Sequence, residues 1–211
     1  MKSFKHWKMQ EVEEVFGIRE VEEHPLLSDW LTADCEISEE EKSRLEELKI
    51  MLRENVNLWN EAELKIKFLG PLLALVNYDT KIYRAFMERS LSIHKDGETA
   101  SGTLDFLIAK GRQIPRTPFF CVHEYKPDPS SSNDPLGQLL IGLEAVNQEN
   151  QKEGFDFPLY GAYVVGRLFY FVVFDGKTYA KSEPYIATQD SIVDIFCCLK
   201  QVKKYIQQII E

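Results

Sequence analysis

The spacing of apolar residues predicts two helices in the first third of the chain. After Ser38, apolar side chains recur at helical spacing, and Ser38 with Glu41 has the form of a capping box, so a helix is predicted over residues 39 to 54. A second helix is predicted to begin near Asn60 and to bend at Pro71, because proline lacks the backbone N–H that a helix interior needs.

The remainder of the chain alternates between strand and helix patterns. The predicted elements are strands at 91–94, 102–109 and 119–126, a helix at 136–148, three strands between 160 and 181, and a closing helix at 189–210. This order predicts an α/β fold in which a mixed central β-sheet is flanked by helices.

Residues 1–37 have a different character from the rest. Acidic runs alternate there with single large apolar residues such as Trp7 and Trp30, a pattern typical of short surface helices. We therefore expect a helical N-terminal extension over residues 1–37, followed by one domain over residues 38–211. The one linker-like stretch, rich in Ser, Asp and Pro, is 127–135.

The charge balance limits how the chain would meet a polyanion. Lys and Arg number 25 against 34 Asp and Glu, which gives a net charge of -9. A general electrostatic attraction to nucleic acid is therefore absent, and any such contact must be local. A pocket rich in carboxylates would instead attract divalent cations.

The cysteine pattern and hydropathy favour a cytoplasmic protein with no membrane contact. Cys35, Cys121, Cys197 and Cys198 show neither CxxC pairing nor the spacing of a disulfide framework, so all four are predicted to be buried free thiols. The N-terminus carries lysines without a following apolar run, so no signal peptide is expected. The longest apolar stretch, 159–174, is interrupted and too short to cross a bilayer.

Three charged residues stand out in otherwise apolar strands. Glu124 and Lys126 end one predicted strand on the same face, and Asp105 lies in the strand before it. A hairpin would bring Asp105 beside Glu124, and two close carboxylates need a proton or a metal between them. Mg²⁺ suits such oxygen ligands, and Mn²⁺ is expected to substitute for it. Lys126 would then orient water and offset negative charge that develops during phosphodiester hydrolysis.

These residues lie in segments that resemble the PD-(D/E)XK nuclease superfamily, which has a restriction-endonuclease-like fold. The segments are SGTLDFLIAKG around Asp105, FFCVHEYK ending in Glu124 and Lys126, and NEAELKIKFLGPLL with Glu61. The resemblance covers roughly residues 58 to 180. One departure is Leu104, which stands where the family pattern has proline.

The resemblance implies a metal-dependent nuclease that cleaves DNA or, less often, RNA. It implies that Asp105, Glu124 and the Tyr125 carbonyl hold the metal ion. Lys126 would position the attacking water.

Two further residues are implied by the same resemblance. Glu61, shortly before Pro-Leu in the first helix, would complete the site, with Glu63 as a competitor whose possible capping role makes it the weaker candidate. Gln138, on the helix after the Glu-x-Lys strand, would support the lysine and the substrate phosphate.

Simpler interpretations remain open for several of these signals. A Glu-x-Lys pair at a strand end is usually a solvated ion pair. His94 and His123 lack a partner at zinc-ligand spacing and are interpreted as structural or surface histidines. Lys110, Arg112 and Arg116 either form a loop that grips phosphate near the site or belong to a solvated turn.

A second functional hypothesis is a non-catalytic interaction protein that retains the nuclease scaffold. Its docking surface for a protein partner would be the acidic N-terminal region together with the helix at 39–54. The net charge of -9 favours this alternative, since it opposes general nucleic-acid binding.

Overall fold

The structure is a computed structural model that describes residues 2–95, 97–128 and 134–210. Over these residues the chain forms a mixed nine-stranded sheet with helices packed on both faces. The predicted α/β class and mixed central sheet are confirmed. Most of the linker-like stretch, residues 129–133, lies outside the described residues.

The helices follow the caps that the sequence predicts. The Ser38–Glu41 capping box is formed, with the Ser38 N–H donating to Glu41 Oε2 over 2.8 Å and the Glu41 N–H donating to Ser38 Oγ over 3.1 Å. The helices are α1 (Met9–Phe16), α2 (Pro25–Leu31), α3 (Glu39–Asn55), α4 (Glu61–Leu64), α5 (Gly70–Val76), α6 (Pro135–Lys152) and α7 (Ile192–Ile210).

Between α4 and α5 the chain makes a π-helical turn, Lys65–Leu69, instead of a simple bend. The Gly70 N–H donates to the Lys65 carbonyl, five residues back. Pro71 has no N–H to donate four residues back to Lys67, and its ring would crowd that carbonyl, so the wider turn relieves both problems. Lys65, the first residue of this turn, contacts Asp105 of β4.

The strands are arranged in the order β1-β4-β5-β6-β7-β8-β2, with β3 also pairing with β4 and β9 with β7. The pairs β1·β4, β5·β6 and β2·β8 are parallel, and the others are antiparallel. The strands are β1 (Lys2–Ser3), β2 (Arg19–Glu20), β3 (Tyr83–Lys95), β4 (Glu98–Lys110), β5 (Arg116–Lys126), β6 (Leu159–Val165), β7 (Leu168–Phe174), β8 (Thr178–Lys181) and β9 (Tyr185–Ile186).

The pairing along β4 leaves an opening that positions the site. β3 covers one edge of β4 over its whole length. The other edge is divided, because β1 pairs with Ala100 and Ser101 while β5 pairs only from Phe106 onward. Residues 102–105 are left between the two partners. A Cβ at Gly102 would overlap the Phe4 side chain, so glycine permits the close approach that forms one wall of this opening.

The N-terminal segment supplies strands as well as the predicted helices. β1 and β2 stand at the two ends of the sheet order, and each is only two residues long, too short to leave an alternating pattern. Trp7 is buried against α6 and its neighbours, and Trp30 is buried in the core on the opposite side. The first 37 residues therefore belong to the same packed cores as the rest of the chain.

The prediction of four free buried thiols is wrong for two of the cysteines. Cys35 and Cys197 form a disulfide with Cα atoms 5.4 Å apart, which ties the segment before α3 to α7. Cys121 and Cys198 are free and buried, as predicted. The bonded pair is separated by 162 residues, so sequence spacing gives no sign of it. Within the described ranges, no helix is long and apolar enough to cross a membrane.

Candidate functional site

Asp105 and Glu124 meet at the opening on the edge of β4. Phe106 pairs with His123, so Asp105 and Glu124 come next in the same antiparallel register. Their residues are only 6 % and 5 % exposed. Both line a cleft of about 230 Å³, and Lys126 lines it with them. The structure thus brings the predicted Asp, Glu and Lys side chains together.

Asp105 is held on both carboxylate oxygens. Oδ1 lies 2.7 Å from Lys65 Nζ, and Oδ2 accepts the Tyr125 N–H over 2.7 Å. The Lys126 carbonyl accepts from the Gly166 N–H on the β6 side of the strand. Because backbone groups alternate sides along a strand, the Tyr125 carbonyl points away from β6, toward the side on which Asp105 lies.

Lys126 connects the strand pair to the start of α4. Its Nζ lies 2.6 Å from Glu124 Oε1 and 3.7 Å from Glu61 Oε2, and its side chain is only 12 % exposed. Glu61 therefore reaches the site, as the resemblance implies. Glu63 instead accepts the Asn60 N–H over 3.1 Å and completes the cap of α4.

Lys65 is a member of the site that sequence reasoning missed. Its Nζ contacts three carboxylates, Glu61 and Glu88 at 2.8 Å each and Asp105 at 2.7 Å. Glu88 has a left-handed backbone, φ 51°, and interrupts the β3·β4 register opposite Asp105. The i, i+4 spacing of Glu61 and Lys65 predicts their helical ion pair. The contact with Asp105 joins residues that are 40 apart along the chain, and no local pattern relates them.

Gln138 adds an unpaired donor to the cleft. It lies in the first turn of α6, its residue is 5 % exposed, and it lines the same cleft as Asp105 and Glu124. Its side-chain nitrogen, Nε2, is buried and has no hydrogen-bond partner among the described residues. Buried polar groups are almost always paired, and leaving one unpaired costs about 1–3 kcal/mol. An unpaired amide that lines a cleft is well suited to a ligand.

The first residues of the chain form a wall of the cleft that the sequence did not predict. Phe4 and Lys5 line it beside Gln138. The chain reaches this position because the Asp134 carboxylate accepts the N–H groups of both Gly137 and Met9, at 2.9 and 2.8 Å. The sequence can predict that Asp134 caps α6, because Asp is a common N-cap residue. It cannot predict that Asp134 also accepts the N–H of Met9, which is 125 residues away.

Burial dominates the titration of the two carboxylates. Burial and the nearby Asp105 charge raise the pKa of Glu124 to about 7, against the opposing effect of Lys126. Burial also raises the pKa of Asp105, although Lys65 and the Tyr125 N–H act against it. Burial would lower the pKa of Lys126, but the charge and hydrogen bond of Glu124 outweigh it, so the net shift is upward. Glu124 therefore exchanges its proton near neutral pH while Lys126 stays charged.

The opposite face of β5 holds a second polar cluster that is closed. His123 Nδ1 lies 2.8 Å from the Tyr125 hydroxyl and Nε2 lies 3.3 Å from Cys121 Sγ. Its ring stacks on Phe106, with ring centroids 4.6 Å apart, and burial lowers the pKa of His123 to about 3. His94 is exposed and lies 3.0 Å from Thr99 Oγ1. His123 is therefore a buried structural histidine, and His94 is a surface histidine.

The basic residues after β4 do not line this cleft. Lys110, Arg112 and Arg116 line a separate cavity at the other end of β4 and β5. Lys110 is five residues from Asp105, about 17 Å along a strand. The expectation that they lie near the site therefore needs correction, because the strand carries them away from it.

Comparison with known proteins gives no match, either to a protein-family model or to a curated protein. In the part of the chain that the structure describes, no group of three or more His, Cys, Asp or Glu side chains is arranged to hold a metal ion.

Proposed function

We propose that this chain is a metal-dependent nuclease that hydrolyses phosphodiester bonds, in DNA rather than RNA. One observation carries the proposal. Asp105, Glu124 and Lys126 converge in one cleft with the unpaired amide of Gln138, so two carboxylates, a cation and a spare donor face the same space. Those are the groups that phosphodiester hydrolysis requires: ligands for a cation, and donors for the phosphate oxygens.

The proposed Mg²⁺ or Mn²⁺ ion would need only two carboxylates and a carbonyl from the protein, because Mg²⁺ usually keeps several waters. Asp105 and Glu124 supply two carboxylates, and the Tyr125 carbonyl projects to the same side, so all three would hold the ion with waters completing its shell. Lys65 occupies Asp105 Oδ1 but has two other carboxylate partners, Glu61 and Glu88, that can retain it. When bound, the ion would polarise the phosphate and lower the pKa of a coordinated water.

Four side chains of the cleft region would have the other roles in hydrolysis. Lys126 Nζ would orient the attacking water and offset negative charge on the phosphate oxygens. Glu61, 3.7 Å from Lys126 Nζ, would hold that ammonium group in position. Gln138 Nε2 would donate to a non-bridging phosphate oxygen and so gain the partner that it lacks. With a pKa of about 7, Glu124 would be half ionised at that pH, so binding of a cation there weakens as the pH falls below it.

A second candidate function is an interaction module that keeps the scaffold without catalysis. The observation in its favour is that lysines already neutralise both carboxylates, Lys65 on Asp105 and Lys126 on Glu124. Such pairing stabilises the site without any metal. The acidic N-terminal region would then serve a protein partner, or the scaffold would bind nucleic acid without cutting it.

Metal-dependent cleavage separates the two candidates. Supercoiled plasmid, single-stranded DNA and RNA are each incubated with the protein in Mg²⁺, Mn²⁺ or EDTA. We expect divalent-dependent nicking that falls at least about 100-fold in Lys126→Ala and Asp105→Asn, the scale seen when a preorganised charge is removed. Lys67→Ala controls for the loss of a lysine that takes part in an ion pair, since Lys67 pairs with Glu63 outside the cleft.

Calorimetry supplies the outcome that would end the nuclease proposal. If neither Mn²⁺ nor Mg²⁺ binds the wild type and no substrate is cut, the interaction module is the remaining candidate. Its partner surface is then tested with Glu22→Gln and Glu23→Gln, both exposed. Deleting residues 1–36 is not a useful test, because Trp7 and Trp30 belong to the cores.

A further inference from the structure

A second cavity at the far end of β4 and β5 has a distinctive lining. It has a volume of about 870 Å³ and lies where β3 begins, β4 ends and β5 begins. Four cations line it and, among the described lining residues, there is no acid. The cations are Lys81, Lys110, Arg112 and Arg116.

The cations of this cavity are not neutralised by the protein. None of the four makes an ion pair with any residue in the described ranges. Elsewhere on the surface, basic side chains such as Lys42, Arg44 and Lys152 each contact a glutamate. Lys110 and Arg116 also lie directly opposite each other in the β4·β5 register. Like charges at such a position destabilise a sheet unless an anion lies between them.

The loop that carries this charge has a tight turn. Gly111 has φ 122°, and a Cβ there would overlap the Ile114 carbonyl, so only glycine suits the turn. The turn holds Ile114 66 % exposed, and Ile82 across the cavity is 50 % exposed. Apolar side chains beside unpaired cations suit a ligand that has both anionic groups and apolar rings.

We infer that this cavity binds the phosphodiester backbone of a nucleic-acid strand, with Ile82 and Ile114 against its sugars or bases. The identity of the polyanion rests on the proposed nuclease function, whose site lies on the same two strands. About 17 Å of strand separates Lys110 from Asp105, which corresponds to roughly five base-pair steps along the axis of duplex DNA. The cavity would hold the substrate several nucleotides from the cut. It also explains how an acidic protein gains a local contact with nucleic acid.

The test measures binding without cleavage. A fluorescent single-stranded 30-mer is titrated with the full chain in EDTA, and anisotropy is recorded over a range of salt concentrations. For Arg112→Gln/Arg116→Gln we expect at least tenfold weaker binding. The slope of log K against log salt should become shallower by about one for each phosphate that the variant no longer neutralises.

A control variant carries the same change of charge elsewhere. Arg19 and Lys177 are exposed, adjacent in the β2·β8 region and outside the cavity. Arg19→Gln/Lys177→Gln should bind within about twofold of the wild type. If both double variants lose affinity equally, or if neither does, the cavity is not the binding site and the inference fails.

Further arms separate this inference from its alternatives. Binding to phosphatidylserine vesicles that is lost in Arg112→Gln/Arg116→Gln, with oligonucleotide binding unchanged, would assign the cavity to a membrane surface and overturn the inference. If the wild type binds DNA through the cavity but never cuts it with Mg²⁺ or Mn²⁺, the inference stands and the nuclease proposal fails. If the wild type cuts DNA and the cavity variant binds DNA normally, the nuclease proposal stands and the cavity inference fails.

Discussion

The two faces of β5 carry polar clusters of equal burial and opposite character. On one face, His123 satisfies both ring nitrogens with Tyr125 and Cys121 and stacks on Phe106. On the other, Glu124 shares a cleft with the unpaired Gln138 amide. Burial of polar side chains is common to both faces, so burial alone does not mark a functional site. The cleft face differs in having an opening and an unpaired hydrogen-bond donor, which leave room for a ligand.

The largest expected effect concerns the proton on Glu124. Its folded pKa, about 7, lies above the ordinary glutamate value of 4.5, so the folded state retains a proton that the unfolded state releases between those values. The stabilisation is complete below about pH 4.5 and is lost as pH rises to about 7. In metal-free buffer, wild-type stability relative to Glu124→Gln should therefore fall by up to about 3 kcal/mol over that range. Urea unfolding at several pH values measures it.

Glu47→Gln on the exposed side of α3 controls for the substitution itself. A difference between wild type and Glu124→Gln that stays flat with pH, or grows with it, would show that Glu124 is ionised throughout. The cleft face would then lack the raised pKa that sets Glu124 apart from an ordinary buried ion pair.

The closed face should respond as a purely structural cluster. His123→Leu leaves the buried Tyr125 hydroxyl without its partner, so we expect a loss of about 2 kcal/mol in unfolding free energy and no change in cleavage by the folded protein. Adding Tyr125→Phe removes the second polar group and should recover at least half of that loss. Denaturant melts of the single and double variants decide it. A His123→Leu protein that folds normally but no longer cuts DNA would instead bring this face into the active site.

Lys65 tests whether an ammonium group competes with a metal for Asp105. In Lys65→Met the three carboxylates lose their shared partner, so we expect Mn²⁺ to bind about tenfold more tightly by calorimetry, equivalent to about 1.4 kcal/mol. Lys67→Met serves as the control on the same helical segment. Unchanged or weaker binding in Lys65→Met would mean that Lys65 supports the ion and does not compete with it.

The smallest expected effect is a gain of stability at Gln138. Gln138→Met removes an unpaired buried donor, so it should stabilise the metal-free protein by about 1 kcal/mol while reducing cleavage about tenfold. Asn150→Leu is the contrasting variant on α6, since the Asn150 amide makes two 2.8 Å bonds to the Phe119 backbone and its removal should destabilise the fold. Thermal melts and cleavage rates read out both. If Gln138→Met is as destabilising as Asn150→Leu, Gln138 has a structural role.

Local sequence signals predicted most helices and strands. They did not predict the interactions between segments that are distant along the chain. The caps at Ser38 and Asn60 located two helices correctly, because a cap is formed by residues three apart. β3 begins at Tyr83, well before the predicted start at 91, because its first half does not alternate between buried and exposed residues: Tyr83 and Phe86 are buried, while Met87 and Glu88 are both exposed. The Cys35–Cys197 disulfide joins residues that no local pattern relates.

In the candidate site, too, local signals identified some residues, and residues placed by long-range contacts were missed. Asp105, Glu124 and Lys126 were found because isolated charges in apolar strands require a partner. Lys65 was missed because its contact with Asp105 joins residues 40 apart along the chain, and Glu88 because its left-handed backbone is a property of the folded sheet.

The divided edge of β4 has a practical consequence for handling the protein. Because Lys2 and Ser3 pair beside the opening and Phe4 and Lys5 line it, an affinity tag joined at this end of β1 would start next to the candidate cleft. Such a tag would crowd any ligand that enters the cleft, so binding is best measured after the tag has been removed.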